Sequence, residues 1–155
     1  MSLQQWLENK WIIPIEPSAQ AQVVGDLLAI ADREIRDASL EGMSPDGRFD
    51  HAYDAVRCLC EVALHACGYT IPKSAGRKHE RAIESLKFTL GSEWAEDVDF
   101  FDRCRRRRHQ SIYERAGVAR ASDAEDLLGA AKTLREEVRE WLKRNHPNLA
   151  PTDEA

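Results

Sequence analysis

The stretch SPDGRFDHAYDAVRCLCEVALHACG, Ser44 to Gly68, decides the fold class. Ser44-Pro45-Asp46 is a helix start, because proline's fixed φ suits a first turn in which its missing N–H costs nothing. Behind it Phe49, Ala52, Tyr53, Val56, Cys60 and Ala63 recur every three or four residues, the period that aligns one face of an α-helix. Gly68 then stops the run.

The flanking segments read the same way, since Pro and Gly fall almost only between periodic stretches. Upstream, a helix is expected from about Ser18, read as its cap, to Ser39, with Val24, Leu27, Leu28, Ala31 and Ile35 on one face. Before it, Trp6, Leu7, Trp11, Ile12 and Ile13 form an arm ending in Pro14 and Pro17, either a short helix or an extended segment packed on the bundle. Downstream, a third helix runs roughly from Gly76 to Leu90 and carries Ile83 and Leu86. A fourth is capped by Ser92 and continues to about Ala116. The fifth starts near Ser122-Asp123, aligns Leu127, Ala131, Leu134, Val138, Trp141 and Leu142, and is closed by Asn145-His146-Pro147. No segment shows the alternation or dense β-branching of a strand. The expectation is an all-α chain: a single up-and-down helical bundle of about five main helices, with an arm at 1–17, the bundle at 18–147 and a frayed tail at 148–155.

At 155 residues the chain can bury one core unaided. No apolar run reaches the roughly 20 residues of a membrane span, so no membrane role is expected. The opening Met1-Ser2-Leu3-Gln4-Gln5-Trp6 lacks the basic flank and apolar centre of a secretory signal, which makes a cytoplasmic address the expectation. Cys58, Cys60, Cys67 and Cys104 lack the spacing of a zinc framework and are read as incidental thiols. No glycine-rich phosphate loop and no H-E-x-x-H pair occurs, so neither cofactor nor metal is expected. A net charge of −5 means that the whole-molecule field does not draw in nucleic acid, and any such contact has to be local.

One locality qualifies. Arg103, Arg105, Arg106, Arg107 and Arg108 crowd into six residues beside His109. On the fourth helix the apolar line Trp94, Val98, Phe101 meets Arg105 and Arg108 before Ile112, so a core face turns cationic. A buried guanidinium needs a partner, which leaves three readings: stems reaching water, pairing with acids, or a cleft that takes an anion. The helix is acidic early and basic late, the order its dipole favours, and Asp99 with Arg103 or Asp102 with Arg106 are natural pairs. Arg105, His109 and Tyr113 are successively four apart and share a face. Such a group suits a phosphodiester: guanidinium stabilises charge on phosphate oxygens, and an imidazole kept neutral by nearby cations accepts a ribose hydroxyl proton. Arg105, Arg106 and Arg107 are the candidate substrate-binding residues around it.

The stretch Arg107-Arg108-His109-Gln110-Ser111-Ile112-Tyr113-Glu114 resembles the signature region of HEPN domains. So do Gly47 to Ala55, Ala66-Cys67-Gly68-Tyr69, His79 to Gly91, and Val138 to Leu142 with His146-Pro147; together they cover nearly the whole chain and look like one bacterial branch of that family. The resemblance implies a helical bundle from toxin–antitoxin and defence systems. RNA-cleaving members are metal-independent dimers that use an arginine, a following polar residue and, four to six intervening positions later, a histidine. Aligned by surroundings, Arg108 is that arginine, His109 the polar residue, and Tyr113 stands where the catalytic histidine belongs. Aligned by spacing alone, Arg103 and His109 fit. The resemblance therefore implies either an active metal-independent endoribonuclease or a catalytically degenerate module that still binds RNA or nucleotide. It further implies a homodimer, a nucleotidyltransferase-type partner protein, and Tyr113 as a residue open to nucleotide modification. A plain helical interaction protein, its arginines only pairing and solvating, is the third reading.

Overall fold

The computed structural model describes residues 1–113 and 120–152, the side chains of 109–113 lying outside the described set. Among these residues six α-helices, α1 (Leu3–Glu8), α2 (Pro17–Ala38), α3 (Pro45–Ala66), α4 (Lys78–Thr89), α5 (Ala95–Tyr113) and α6 (Ala121–Asn145), make an all-α bundle. None is long and apolar enough to cross a membrane.

The Ser44 stretch forms the central helix. Ser44 Oγ accepts the Gly47 N–H at 3.0 Å, with Pro45 in the first turn. The expected one-sided stripe is an understatement: from Ala55 to Ala66 every residue but Arg57 is buried, because α2, α4, α5 and α6 all pack on α3. Small Ala and Cys side chains on this helix let neighbours approach from several sides. Leu28, Ala31 and Ile35 of α2 and Leu127, Leu134, Val138 and Leu142 of α6 close the core around it. Polar ties reinforce the layers. Arg135 Nε reaches Asp32 at 2.6 Å between α6 and α2. Gln20 donates to the His65 and Ala66 carbonyls at the end of α3, and Arg48 to those of Ala38 and Leu40 at the end of α2, which satisfies acceptors that a helix terminus leaves open.

Several boundaries differ from the expectation for local reasons. Ser18 is not the cap of α2: Glu16 holds that position and Pro17 opens the helix, since proline's φ already fits there. The third main helix begins at Lys78, because Gly76 and Arg77 both have positive φ (69° and 49°) and break the chain out of a 3-10 turn at Lys73–Ala75. Ser92 opens a 3-10 turn, Ser92–Trp94, and α5 follows from Ala95; its expected end near Ala116 lies outside the described residues.

The arm contains helix α1, capped by Ser2, and a two-residue strand, β1 (Ile13–Pro14), that pairs antiparallel with β2 (Tyr69–Thr70) just past α3. These strands were not expected. Each is too short to show alternation, and Gly68 (φ 96°) turns the chain so that its carbonyl accepts from Ile15 N–H at 2.9 Å. Trp6, 2% exposed, meets Trp11 and Phe88 edge-on at 5.7 and 5.4 Å. At the other terminus, a 3-10 turn Pro147–Leu149 lays Leu149 and Ala150 against the core, so fraying does not begin at 148.

Candidate functional site

Helix α5 divides its arginines between two faces. Val98, Phe101 and Cys104 are its buried line, as the periodicity required. To one side Arg103, Arg106 and Arg107, with Phe100, Cys104 and Asp123 at the start of α6, line an open groove of about 420 Å³. Arg107 Nη1 pairs with Asp123 Oδ2 at 2.9 Å, and the same oxygen accepts the Arg120 N–H at 3.3 Å. Arg106 meets Asp102 at 3.3 Å, the expected i,i+4 pair. The Asp99–Arg103 pair does not form; the Arg103 guanidinium lies 5.9 Å from the Phe100 ring centre instead. Arg106 is 62% exposed and Arg107 42%, so these pairs are of the surface class worth about 0–1 kcal/mol. A dianionic phosphate can displace such carboxylates at little cost, because charge-assisted bonds to phosphate are at least as strong.

Arg108 turns the other way, into a seam with α3 and α4. Its Nη2 meets Asp54 Oδ1 at 3.3 Å and its guanidinium stacks 5.2 Å from the Tyr53 ring centre. The Tyr53 hydroxyl is 3.4 Å from His79 Nδ1 on α4. Farther along, Arg57 pairs with Glu61 at 2.6 Å and Lys78 approaches Glu61 at 3.7 Å. Arg105, only 26% exposed, bonds Asp102 on its own helix at 2.8 Å. Arg108 is therefore not on the groove that Arg103, Arg106 and Arg107 share.

Burial governs titration in this seam. It raises the Asp50 and Asp54 carboxyls above their ordinary range, although the Arg108 charge opposes both shifts. It raises the Tyr53 phenol too. His79 is pushed down to about 4, first by burial and then by Arg57, Arg108, Lys78 and Arg105. A neutral imidazole held by surrounding cations was expected of His109; the described residue that has this environment is His79. The side chains of His109 and Tyr113 lie outside the described residues, although the backbone of α5 is helical through both.

Tyr53, Asp54 and His79 were not singled out from sequence. A signal existed: Asp50, Asp54, Arg57 and Glu61 follow one another by four, three and four, a charged line along a helix that is otherwise apolar.

Among the described residues one group gathers three metal-ligand types: Glu34, Asp37 and His51, whose ligand atoms lie within 4.8 Å of one another. Its Glu34 carboxylate is already engaged at both oxygens. His51 Nδ1 meets Glu34 Oε2 at 2.6 Å and Arg33 meets the other oxygen at 3.1 Å. Burial works against the Glu34 charge, but these bonds outweigh it and hold the carboxyl below its ordinary value. On α3, His65 Nδ1 is 2.7 Å from the Glu61 carbonyl. Burial lifts Cys58 and Cys67 to about 11 and Cys104 to about 12, so these are protonated thiols at neutral pH.

Comparison of the chain with protein-family models, with curated proteins and with solved structures returns no match.

Proposed function

We propose that the chain is a HEPN-type helical module that holds the phosphates of RNA or of a nucleotide in the groove between α5 and α6, with its endoribonuclease chemistry degenerate. The observation that carries this reading is the convergence of Arg103, Arg106 and Arg107 on one groove whose lining holds a single carboxylate, Asp123. The sequence resemblance supplies the family and its setting: a toxin–antitoxin or defence system with a nucleotidyltransferase-type partner. The homodimer rests on that resemblance alone, since Met1, Ile13 and Leu40 are the only large apolar side chains exposed among the described residues. Degeneracy follows from Tyr113 in the histidine position. A phenol with a pKa near ~10 is a poor base at neutral pH, and loss of a positioned general base costs about 10²–10⁴ in rate.

A labelled single-stranded RNA, followed by fluorescence anisotropy, should bind with an affinity that falls steeply with salt, about 0.7 in log K per log salt for each phosphate contacted. Arg103→Glu with Arg106→Glu should abolish binding while leaving the fold intact, because both side chains are exposed. Binding indifferent to that double variant, or none at low salt, overturns the reading. The same RNA incubated in chelator should stay intact. Cleavage that His109→Ala removes would instead establish the metal-independent endoribonuclease.

A further inference from the structure

A second cavity, about 190 Å³, opens where the arm meets α4 and α5. Trp6 and Trp11 line it together with two arginines, Arg77 and Arg81, and four carboxylates, those of Glu80, Glu84, Asp99 and Asp102. Its volume is well below the ~300 Å³ at which drug-sized pockets begin, which restricts an occupant to a single ring system. The Arg81 guanidinium carbon lies over Trp11, 4.5 Å from the ring centre, so one wall joins a cation to an aromatic ring. An excess of carboxylates disfavours an anion and selects a ligand edge rich in N–H donors.

Three of those carboxylates are committed. Glu80 faces Arg77, Glu84 is paired with Lys87, and Asp102 takes Arg105 and Arg106. Asp99 has no ion pair among the described residues. Trp6 is 2% exposed, and its indole N–H is buried with no acceptor among the described residues, an arrangement that costs about 1–3 kcal/mol in a protein interior. The cavity thus combines aromatic surface from Trp6 and Trp11 with an uncommitted carboxylate, Asp99.

We propose that this cavity takes a nucleobase, and guanine in preference to the others. Guanine is the base with two adjacent donors, N1–H and the 2-amino group, that one carboxylate can accept together, and its neighbouring carbonyl offers an acceptor to N–H groups of the site. Cytosine and adenine place a ring acceptor beside their amino group, and uracil sets its single N–H between two carbonyls, so a carboxylate is partly repelled by each. Stacking on the Trp11 ring adds affinity without regard to sequence. The choice of a base over another planar donor rests on the phosphate-binding reading above; the shape and the charge pattern do not.

The probe is guanosine, which carries no phosphate, titrated into the full chain and followed by tryptophan fluorescence against adenosine, cytidine and uridine. Guanosine should quench most strongly, and Asp99→Ala, at an exposed helical position, should weaken it by about 5- to 150-fold, the range of a bidentate base contact. Trp11→Leu should weaken all four nucleosides alike. No quenching by any nucleoside, or guanosine affinity unchanged in Asp99→Ala, overturns the proposal. Guanosine binding without RNA binding would leave the pocket and refute the groove; RNA binding lost in Arg103→Glu with Arg106→Glu, but no guanosine binding, would do the reverse. A guanine-containing RNA that outbinds a uridine-only RNA of equal length, by a margin that Asp99→Ala erases, assigns the base to RNA; equal affinity assigns it to a free nucleoside or nucleotide.

Discussion

Replacing Arg108 by methionine separates the two faces of α5. The guanidinium forms an ion pair with Asp54 at 3.3 Å and covers Tyr53, with Arg108 24% exposed and Asp54 27%. An exposed ion pair contributes about 0–1 kcal/mol, whereas stripping one partner from a fully buried pair costs about 3–5. Quarter exposure places the expectation between these limits, about 2 kcal/mol, with up to ~1 more from the lost stacking on tyrosine. For a chain of this length that lowers Tm by roughly 5–10 °C.

The cost should depend on pH, and the sign is fixed by Asp50 and Asp54. Both carboxyls sit above their ordinary value of 3.8 in the folded protein, burial raising them while Arg108 holds them back. A carboxyl raised on folding contributes stability that is complete below 3.8 and lost as pH rises through its folded pKa. Removing Arg108 raises both further and enlarges that loss. The gap between variant and parent should therefore open from about pH 4 upward and be widest near neutrality. Urea denaturation followed by far-UV circular dichroism at both ends of that range measures it. Equal stability at neutral pH, or a cost that does not change with pH, refutes the assignment of Arg108 to the seam. RNA affinity should be almost untouched, whereas an Arg108 in the phosphate groove would have to abolish it.

Glu34→Gln should cost about 1–2 kcal/mol at neutral pH, through the lost bond to His51; because this carboxyl is depressed on folding, the deficit should close as pH falls below 4.5, which a denaturation series checks. The His79 ring should titrate near 4 by NMR, its contribution to stability being present above 6.5 and lost as pH falls toward 4. Arg108→Met should raise that value, and an unmoved midpoint would detach His79 from the seam. Asp102→Asn releases Arg106 and Arg105 from their shared carboxylate. RNA affinity should then tighten by about two- to five-fold, the worth of an exposed pair, and weaker binding would contradict a groove open to phosphate.

The helices were legible because proline, glycine and a period of three to four residues act locally. Pro17, Ser44-Pro45 and Gly68 each do their work within one turn of where they stand. The strand pair was not legible: Ile13 meets Thr70 across 57 positions, and two residues carry no period. The cationic interruption of α5 could be read, and it does mark a change of environment at Arg105 and Arg108. What faces it could not be read, because periodicity says which side of a helix is unlike the rest and not which helix lies opposite. Asp54 and His79 come from α3 and α4, and only packing brings them to Arg108. The charged line from Asp50 to Glu61 was the available clue that the central helix, too, had a polar seam.

The division of labour on α5 has an energetic basis. Its described apolar anchor is three residues, Val98, Phe101 and Cys104, against eight buried apolar residues on α6 and twelve on α3. Among the described residues past Cys104, the helix is tied to its neighbours by ion pairs, Arg108 to α3 and Arg107 to α6. Apolar burial is indifferent to dissolved anions, but an ion pair is not, and the two pairs differ in how firmly they resist exchange. Arg108–Asp54, three-quarters enclosed, keeps its partner, while Arg107–Asp123 lies open on the groove. A phosphate that takes Arg107 therefore loosens the tie to the first turn of α6 and leaves the tie to the central helix in place. Asp123 still accepts the Arg120 N–H, so the start of α6 keeps its cap while the groove changes hands. Ligand occupancy and the hold of α5 on α6 are then linked through one carboxylate, by an amount set by a surface pair, about 1 kcal/mol or less.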